Sequence, residues 1–139
     1  MPLTKGYKDL LAEANARIET VTPEQARAWH DRLGEGADDV VFVDIRDPRE
    51  LQRDGMIPGA LHAPRGMLEF WVDPESPYHK PVFASGKRFV LYCASGWRSA
   101  LATDTLRTMG LEPVCHIGGG FKAWKEAGNP VGEPPHKDR

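Results

Sequence analysis

The chain has 139 residues, 40% of them hydrophobic and 27% charged, a composition typical of one folded domain and unlike that of disordered chains. Its 18 basic and 20 acidic side chains give a formal net charge of −2, so we expect no nucleic-acid or membrane partner. The longest uninterrupted apolar run, residues 89–94, is far too short to span a bilayer.

The first predicted elements are two helices separated by a short strand. Apolar residues at helical spacing over residues 7–18 predict an amphipathic N-terminal helix, and alternation over residues 18–21 predicts a strand. Thr22 then has the position of a helix cap, Pro23 that of the first helical residue, and Gln25 that of the second partner in a capping box. We therefore expect a second helix to begin at Pro23.

A buried strand begins the next group of elements. Residues 40–43 are apolar and mostly β-branched, which favours a strand that is covered on both faces, as in parallel sheets. A capped short helix is predicted at residues 47–53, a brief strand at residues 61–63 and another short helix at residues 66–72. The proline-rich residues 73–86 form a predicted long loop.

The last third of the chain continues the alternation of strand and helix. Residues 89–92 predict a strand, and helical spacing from Leu101 to Met109 predicts a helix with one apolar face. A further strand is predicted at residues 114–117 and a last helix at residues 121–127. Because strands and helices alternate along the whole chain, we expect one α/β domain with a mainly parallel central sheet.

The two cysteines, Cys93 and Cys115, are too few for a disulfide scaffold and are not spaced as zinc ligands, so we expect no metal site. The first residues lack the apolar segment of a signal peptide. Together these features favour a cytoplasmic location, where thiols stay reduced.

Cys93 occupies the position where a buried strand ends and a helix is about to begin, which is where ligands bind in open α/β sheets. The segment from Cys93 to Arg98 contains one glycine, so its backbone N–H groups can converge above the sulfur as an anion-binding nest. The positive partial charges of these N–H groups favour the thiolate, the nucleophilic form of cysteine. The alternative is an inert buried cysteine, which is our interpretation of Cys115 in the middle of an apolar strand.

Four short motifs resemble, in order and spacing, those of the rhodanese family of sulfurtransferases. They are the D-x-R segment Asp44-Ile45-Arg46, the turn Met56-Ile57-Pro58-Gly59-Ala60 (H-I-P-G-A in the family), the loop Cys93-Ala94-Ser95-Gly96-Trp97-Arg98 (C-x-x-G-x-R), and Gly118-Gly119 with Trp124 (G-G-x-x-x-W). Each motif is weak alone, and the four together are specific. We accordingly divide the chain into an N-terminal helical extension at residues 1–17, a rhodanese domain at residues 18–133 and a flexible tail at residues 134–139.

The resemblance implies a rhodanese-like α/β fold, with a central five-stranded parallel sheet flanked by helices on both faces. It also implies that Cys93 is the catalytic nucleophile, which takes a sulfane sulfur from thiosulfate or a similar donor and carries it as a persulfide. The substrate-binding loop would consist of Ala94, Ser95, Gly96, Trp97 and Arg98. The acceptor would be cyanide, a thiol or a protein, and the reaction requires no metal or organic cofactor.

Some positions need a separate interpretation. Asp44 and Arg46 are expected to give structural support as an ion pair at the strand end, because arginine stays protonated and cannot act as a base. Met56 stands where the family usually has histidine, so packing should hold that turn. Ala94 replaces an arginine of many members, which removes a positive charge near the donor. Trp97 either walls the pocket or packs, partly exposed, on the loop.

Two other functions stay open. One is a phosphatase or arsenate reductase on the same fold; such phosphatases have five residues between the cysteine and the arginine, whereas four separate Cys93 from Arg98. The shorter loop favours a single sulfur over a tetrahedral phosphate. The other is a non-enzymatic rhodanese-like binding or regulatory module, although such modules usually lack the loop cysteine. Arg98 has two interpretations as well: it binds the anionic donor, or it pairs with a carboxylate such as Asp44 or Asp47 and only shapes the loop.

Overall fold

The computed structural model describes residues 2–135, in which five parallel strands form one sheet in the order β1-β5-β4-β2-β3. The strands are β1 (Glu19–Val21), β2 (Val40–Asp44), β3 (Leu61–His62), β4 (Arg88–Tyr92) and β5 (Val114–Ile117). The helices are α1 (Tyr7–Arg17), α2 (Pro23–Gly34), α3 (Pro48–Asp54), α4 (Leu68–Val72), α5 (Trp97–Thr108) and α6 (Gly120–Glu126). Short 3-10 helices lie at Arg65–Met67 and Pro81–Ala84. The predicted α/β fold with a five-stranded parallel sheet is confirmed.

Helices cover both faces of the sheet and form two separate apolar clusters. Along the central strands the side chains alternate, so that Val43 and Leu91 belong to one cluster while Phe42 and Val90 belong to the other. Helices α4 and α5 complete the first cluster, and α2 and α6 complete the second. This two-sided burial explains why β2 and β4 are apolar along nearly their whole length.

The predicted start of α2 is confirmed in detail. The N–H of Gln25 donates to Thr22 Oγ1 at 3.1 Å, and the N–H of Thr22 donates to Gln25 Oε1 at 2.9 Å, with Pro23 in the first turn. A second capping box begins α3, where the N–H of Asp47 donates to Glu50 Oε2 at 3.0 Å. Local sequence therefore determines both helix starts.

The predicted apolar face of α5 is wrong in part. Met109 is 41% exposed, whereas Ser99 and Thr103 are fully buried on the same side as Leu106. The first turn of α5 fixes the rotation of the helix, because the N–H of Ser99 donates to the sulfur of Cys93 at 3.4 Å. Small polar side chains consequently replace part of the apolar stripe on the side that faces the sheet.

The N-terminal helix α1 packs on α5. Arg17 Nη2 lies 2.7 Å from Asp104 Oδ2, and the Tyr7 ring centroid lies 5.0 Å from that of Trp97. The sequence left open whether this helix docks on the core or on a partner, and in this chain it docks on the core. The division between residues 1–17 and the domain stays a prediction.

The end of the described chain pairs with the turn that follows α3. Gly132 and Met56 exchange two backbone hydrogen bonds, at 2.8 and 2.9 Å, as an antiparallel bridge. Of the predicted flexible tail at residues 134–139, residues 136–139 lie outside the described residues. Within the part of the chain that the structure describes, no helix has the length and apolar character needed to cross a membrane.

Candidate active site

Cys93 lies at the carboxyl end of β4, the central strand, directly before the loop that leads to α5. Its side chain is 1% exposed, and its sulfur accepts hydrogen bonds from the N–H groups of Gly96 at 3.2 Å and Ser99 at 3.4 Å. These amides and the N-terminus of α5 stabilise negative charge on the sulfur. The arrangement can therefore hold a thiolate or another anionic sulfur species.

Gly96 gives the loop its shape. Its φ of 105° lies in the left-handed region, where a residue with a Cβ is strained. This conformation turns the chain so that N–H groups of the loop face the sulfur of Cys93. A Cβ on Gly96 would lie 3.4 Å from the backbone nitrogen of Gly119, an ordinary van der Waals contact, so the positive φ and not a lack of space favours glycine here.

The N-terminal end of α6 holds the loop from below. The N–H of Phe121 donates to the carbonyl of Cys93 at 2.8 Å, and the N–H of Lys122 donates to the carbonyl of Ala94 at 3.0 Å. Gly120 makes this approach possible, because a Cβ there would lie 2.7 Å from both carbonyl oxygens. The loop carbonyls are thus bound to α6, and the N–H groups of Gly96 and its neighbours stay available to the sulfur.

Exposed side chains surround the buried sulfur. Ser95, Trp97 and Arg98 are exposed, and Ala94 is half-buried. Trp97 is 57% exposed, and its ring centroid lies 5.0 Å from that of Tyr7 on α1. The N-terminal helix thus contacts the loop that follows Cys93.

Arg98 forms an ion pair with Glu50, a partner that the sequence did not predict. Its Nη1 and Nη2 donate to the two carboxylate oxygens of Glu50 at 2.8 and 2.9 Å, a bidentate arrangement. The hydrogen bond from Arg98 lowers the pKa of Glu50 to about 2. One interpretation of Arg98 had it pair with a carboxylate such as Asp44 or Asp47; the carboxylate is that of Glu50, because Asp44 pairs with Arg46 and Asp47 caps α3.

The Asp44–Arg46 pair is buried beside the site. Arg46 Nη2 donates to Asp44 Oδ2 at 2.7 Å and to the carbonyl of Gly55 at 2.7 Å, and both charged side chains are at most 1% exposed. The guanidinium also lies 4.4 Å from the ring centroid of Phe121. The pair therefore joins the end of β2 to the turn after α3 and to α6.

Packing and backbone contacts hold the turn in which Met56 stands. Met56 is 3% exposed and bridges to Gly132, and the N–H of the next residue, Ile57, donates to the Tyr92 hydroxyl at 3.0 Å. These contacts fix the position without a side-chain hydrogen bond from residue 56.

Cys115 has a different environment from Cys93. It is buried in β5, and burial raises the pKa of its thiol to about 12, so the thiolate is scarce near pH 7. Neither cysteine belongs to a group of three or more metal-ligating side chains among residues 2–135.

Three residues beside Cys93 and its loop were not predicted from the sequence: Glu50, Ser99 and His116. Ser99 Oγ lies 3.5 Å from the sulfur of Cys93 and 2.9 Å from Nδ1 of His116. The available signal was His116 itself, a polar residue inside an apolar strand that runs into three glycines. Glu50 gave no signal beyond its capping-box position.

The chain is similar to a known domain family and to several known proteins. A model of the rhodanese-like domain family matches residues 26–127. An uncharacterized protein of Synechocystis is 40% identical over 94 residues, and the match covers 68% of this chain and 48% of that protein. The chain thus spans about half the length of this relative. A thiosulfate sulfurtransferase of Pseudoalteromonas translucida is 32% identical over 90 residues, which cover 65% of this chain and 77% of the sulfurtransferase.

A solved structure from Rhodopseudomonas palustris is also similar. It is 58% identical, with a TM-score of 0.88, and the match covers 94% of this chain and 97% of that one. That protein is described as one of unknown function and a possible tyrosine phosphatase. Because 94% of the chain is matched, the similarity includes most of α1 as well as the strands and helices that follow it.

Proposed function

Because the chain belongs to the rhodanese-like domain family, we propose that it is a sulfurtransferase that carries a sulfane sulfur as a persulfide on Cys93. The observation that carries the proposal is the sulfur of Cys93 at the end of β4, within hydrogen-bond distance of the N–H groups of Gly96 and Ser99. The similarity to a thiosulfate sulfurtransferase supports the same class of reaction.

The proposed reaction has two half-reactions. The Cys93 thiolate attacks the outer sulfur of thiosulfate; the S–S bond of the donor breaks, and sulfite leaves with its electron pair. The persulfide on Cys93 then bears the negative charge near the loop N–H groups. An acceptor, which is cyanide in an assay and a thiol or a protein thiol in the cytoplasm, attacks the outer sulfur and releases the thiolate. This is covalent, ping-pong catalysis.

The loop has a proposed division of roles. Gly96 contributes its N–H group to the sulfur, while Ala94, Ser95 and Trp97 form the surface that faces the donor and the acceptor. Arg98 keeps the loop in place through its bidentate ion pair with Glu50. Because exposed side chains surround the site, a protein acceptor can reach it as readily as a small thiol.

Intact-mass spectrometry after incubation with thiosulfate tests the proposal. We expect a gain of about 32 Da, one sulfur atom, located on the Cys93 peptide and removed by cyanide. Cys93→Ser should abolish both the gain and the transfer, since a hydroxyl forms no persulfide. Cys115→Ser, the matched control, should keep both. Wild-type protein that gains no mass would leave a non-enzymatic binding module, and loss in Cys115→Ser alone would move the chemistry to the other cysteine.

A tyrosine phosphatase is the second candidate, because the similar Rhodopseudomonas palustris protein is described in that way. The loop argues against it: four residues separate Cys93 from Arg98, one fewer than in the phosphatase loop, and Arg98 is bound to Glu50. We therefore expect no hydrolysis of an aryl phosphate by the wild-type protein. Turnover of that substrate which disappears in Cys93→Ser would favour the phosphatase instead.

A further inference from the structure

Four polar side chains form a continuous hydrogen-bonded chain from the buried sulfur to the edge of the sheet. Ser99 Oγ lies 3.5 Å from Cys93 Sγ and 2.9 Å from His116 Nδ1. On the other side of the ring, His116 Nε2 lies 3.1 Å from Thr20 Oγ1. Cys93, Ser99 and His116 are at most 3% exposed, whereas Thr20, on the edge strand β1, is exposed. Side chains alone thus connect the nucleophile with solvent.

His116 takes part in this chain as a neutral ring. Burial lowers its pKa to about 4, so at pH 7 one ring nitrogen carries a hydrogen and the other accepts one. Its two partners, Ser99 and Thr20, are hydroxyls, which can both donate and accept. The heavy-atom positions consequently fit either tautomer of the ring.

The hydrogens of the chain have two complete arrangements. In the first, the Cys93 thiol donates to Ser99, the Ser99 hydroxyl donates to His116 Nδ1, and His116 Nε2 donates to Thr20. In the second, every bond is reversed: Thr20 donates to Nε2, Nδ1 donates to Ser99, and the Ser99 hydroxyl donates to the sulfur. The first arrangement suits a thiol, and the second suits a thiolate or an anionic persulfide.

We propose that Ser99 is a catalytic residue that donates its hydroxyl hydrogen to the anionic sulfur of Cys93, and that His116 is the positioning residue that sets the direction of this bond. The proposal deepens the sulfurtransferase function and rests on it for its catalytic meaning. Reversal of the chain links ionisation of Cys93 to a change of the His116 tautomer.

The reversal is balanced in protons and charge. The S–H bond of Cys93 breaks and its proton passes to Ser99 Oγ, while the former hydroxyl hydrogen of Ser99 passes to His116 Nδ1. The hydrogen on Nε2 passes to Thr20, whose own hydroxyl hydrogen goes to a solvent water. One proton leaves the protein, the negative charge stays on sulfur, and the ring is neutral before and after. The return of the thiol runs the same steps backwards.

The charged side chains on the surrounding elements are already paired or exposed. Arg98 on α5 pairs with Glu50 on α3, and Arg46 pairs with Asp44, the last residue of β2. Arg88 on β4 pairs with Glu19 on β1, and Arg17 on α1 pairs with Asp104 on α5. Lys122 on α6 is exposed. Substitution of Ser99 or His116 leaves all of these charges in place, so its effect on Cys93 reports the hydrogen-bonded chain.

Alkylation of Cys93 by iodoacetamide, followed from pH 4 to 10 by peptide mass spectrometry, tests the role of Ser99. The rate reports the thiolate and needs no sulfur donor. Below the midpoint of the pH profile, Ser99→Ala should react about tenfold more slowly than wild type, the effect of losing one hydrogen bond to a charged sulfur. At high pH, where the thiol is fully ionised, the two rates should converge. Equal rates at low pH, or an equal loss at every pH, would overturn the assignment.

Thr103→Ala is the matched control for Ser99→Ala. Thr103 is also fully buried on α5, and its hydroxyl has no hydrogen-bond partner among the described residues. Its substitution removes a buried hydroxyl, together with a methyl group, from the same helix, and Thr103 makes no hydrogen bond to Cys93. We expect the wild-type alkylation profile. If Thr103→Ala changed the alkylation profile as much as Ser99→Ala does, the packing of α5, rather than a hydrogen bond to the sulfur, would control the reactivity of Cys93.

A double-mutant cycle tests the role of His116. His116→Leu should slow alkylation at low pH about threefold, because the Ser99 hydroxyl loses the ring that orients it. His116→Asn should restore most of the rate, since an amide can also donate to Ser99 or accept from it. In the Ser99→Ala background, His116→Leu should have no further effect. Additive effects, or no rescue by asparagine, would overturn the positioning role.

Alkylation and sulfur transfer together separate this proposal from the proposed function. If the Ser99 and His116 variants alkylate as expected but the wild-type protein forms no persulfide, the sulfurtransferase function is refuted. The hydrogen-bonded side chains would still control the reactivity of the Cys93 thiol. Persulfide formation with an unaltered alkylation profile in Ser99→Ala would do the reverse. Melting temperatures show whether each variant folds. If His116→Leu fails to fold, the Ser99→Ala and His116→Asn results still decide the question.

Discussion

Cys93 directly follows β4, and Cys115 lies on the neighbouring strand β5. Both are buried, yet their sulfurs have different partners. The sulfur of Cys93 accepts hydrogen bonds from two backbone N–H groups, whereas burial raises the pKa of the Cys115 thiol to about 12. Burial alone suppresses ionisation, and amide donors at a strand end oppose that effect. At the residue scale, the backbone around each sulfur thus separates a candidate nucleophile from a structural cysteine.

The ion pair between Arg98 and Glu50 gives a prediction that separates a structural role from donor binding. Because the guanidinium is already bidentate with Glu50, we expect Arg98→Ala and Glu50→Gln to slow transfer from thiosulfate and from an uncharged persulfide donor alike. Each variant should also lose about 0.5–1 kcal/mol of stability, a modest value because Arg98 is partly exposed. Steady-state kinetics with both donors and urea unfolding measure these effects.

The opposite kinetic pattern would indicate that Arg98 binds the donor. In that case Arg98→Ala would raise KM for thiosulfate selectively, added salt would reduce the difference from wild type, and stability would not change. Glu50→Gln would then free the guanidinium and lower KM for thiosulfate. That pair of results would reject the structural role.

At the scale of elements, local signals predicted where helices start and failed to predict how they rotate. The capping box of Thr22 and Gln25 lies within four residues, so the sequence alone determined the start of α2. The rotation of α5 depends on the contact between Ser99 and Cys93, which the apolar spacing from Leu101 to Met109 cannot encode. Tertiary contact therefore prevailed over the helical pattern.

The close contact between α6 and the loop predicts that Gly120 is essential to the site. A Cβ on Gly120 would lie 2.7 Å from the carbonyl oxygens of Cys93 and Ala94, and φ is 65°. Gly120→Ala should therefore destabilise the protein by about 3 kcal/mol, from strain and steric overlap combined, and displace the loop. Urea unfolding and the rate of persulfide formation measure the two effects.

Gly128→Ala is the control for Gly120→Ala. Gly128 has a φ of 79°, and a Cβ there would meet no atom within 4 Å. This variant has the left-handed strain without the overlap, so we expect a loss of about 1 kcal/mol and an unchanged rate of persulfide formation. Equal losses of stability in the two variants would show that glycine is necessary at position 120 because of backbone strain rather than because of contact with the loop.

At the scale of the whole molecule, the alternation of strands and helices was enough to predict a parallel α/β sheet, since each element carries its own periodicity. The partners that complete the site were beyond the sequence. Glu50 and Arg98 are 48 residues apart, and Ser99 and His116 are 17 apart, on elements that meet only through the order of the strands. A spacing rule describes one element, whereas these contacts need the relative positions of two.

The buried histidine and the paired carboxylate predict two separate pH ranges of unfolding. His116 has a pKa lowered by burial from 6.5 to about 4, so below pH 6.5 the unfolded chain binds a proton that the folded chain does not. Stability should therefore fall as the pH decreases from 6.5 to about 4, by about 3 kcal/mol in full. The pKa of Glu50, lowered from 4.5 to about 2 by Arg98, gives a further loss as the pH falls through that lower range.

Urea unfolding between pH 7 and 2.5 separates the two contributions. His116→Asn should flatten the loss of stability between pH 6.5 and 4 while the loss below pH 4.5 persists, because asparagine binds no proton in either state. Glu50→Gln should do the reverse, since a neutral amide removes only the lower range. A wild-type slope between pH 6.5 and 4 in His116→Asn would mean that the ring is not held neutral by burial. The reversible chain from Cys93 to Thr20 would then lack its neutral link.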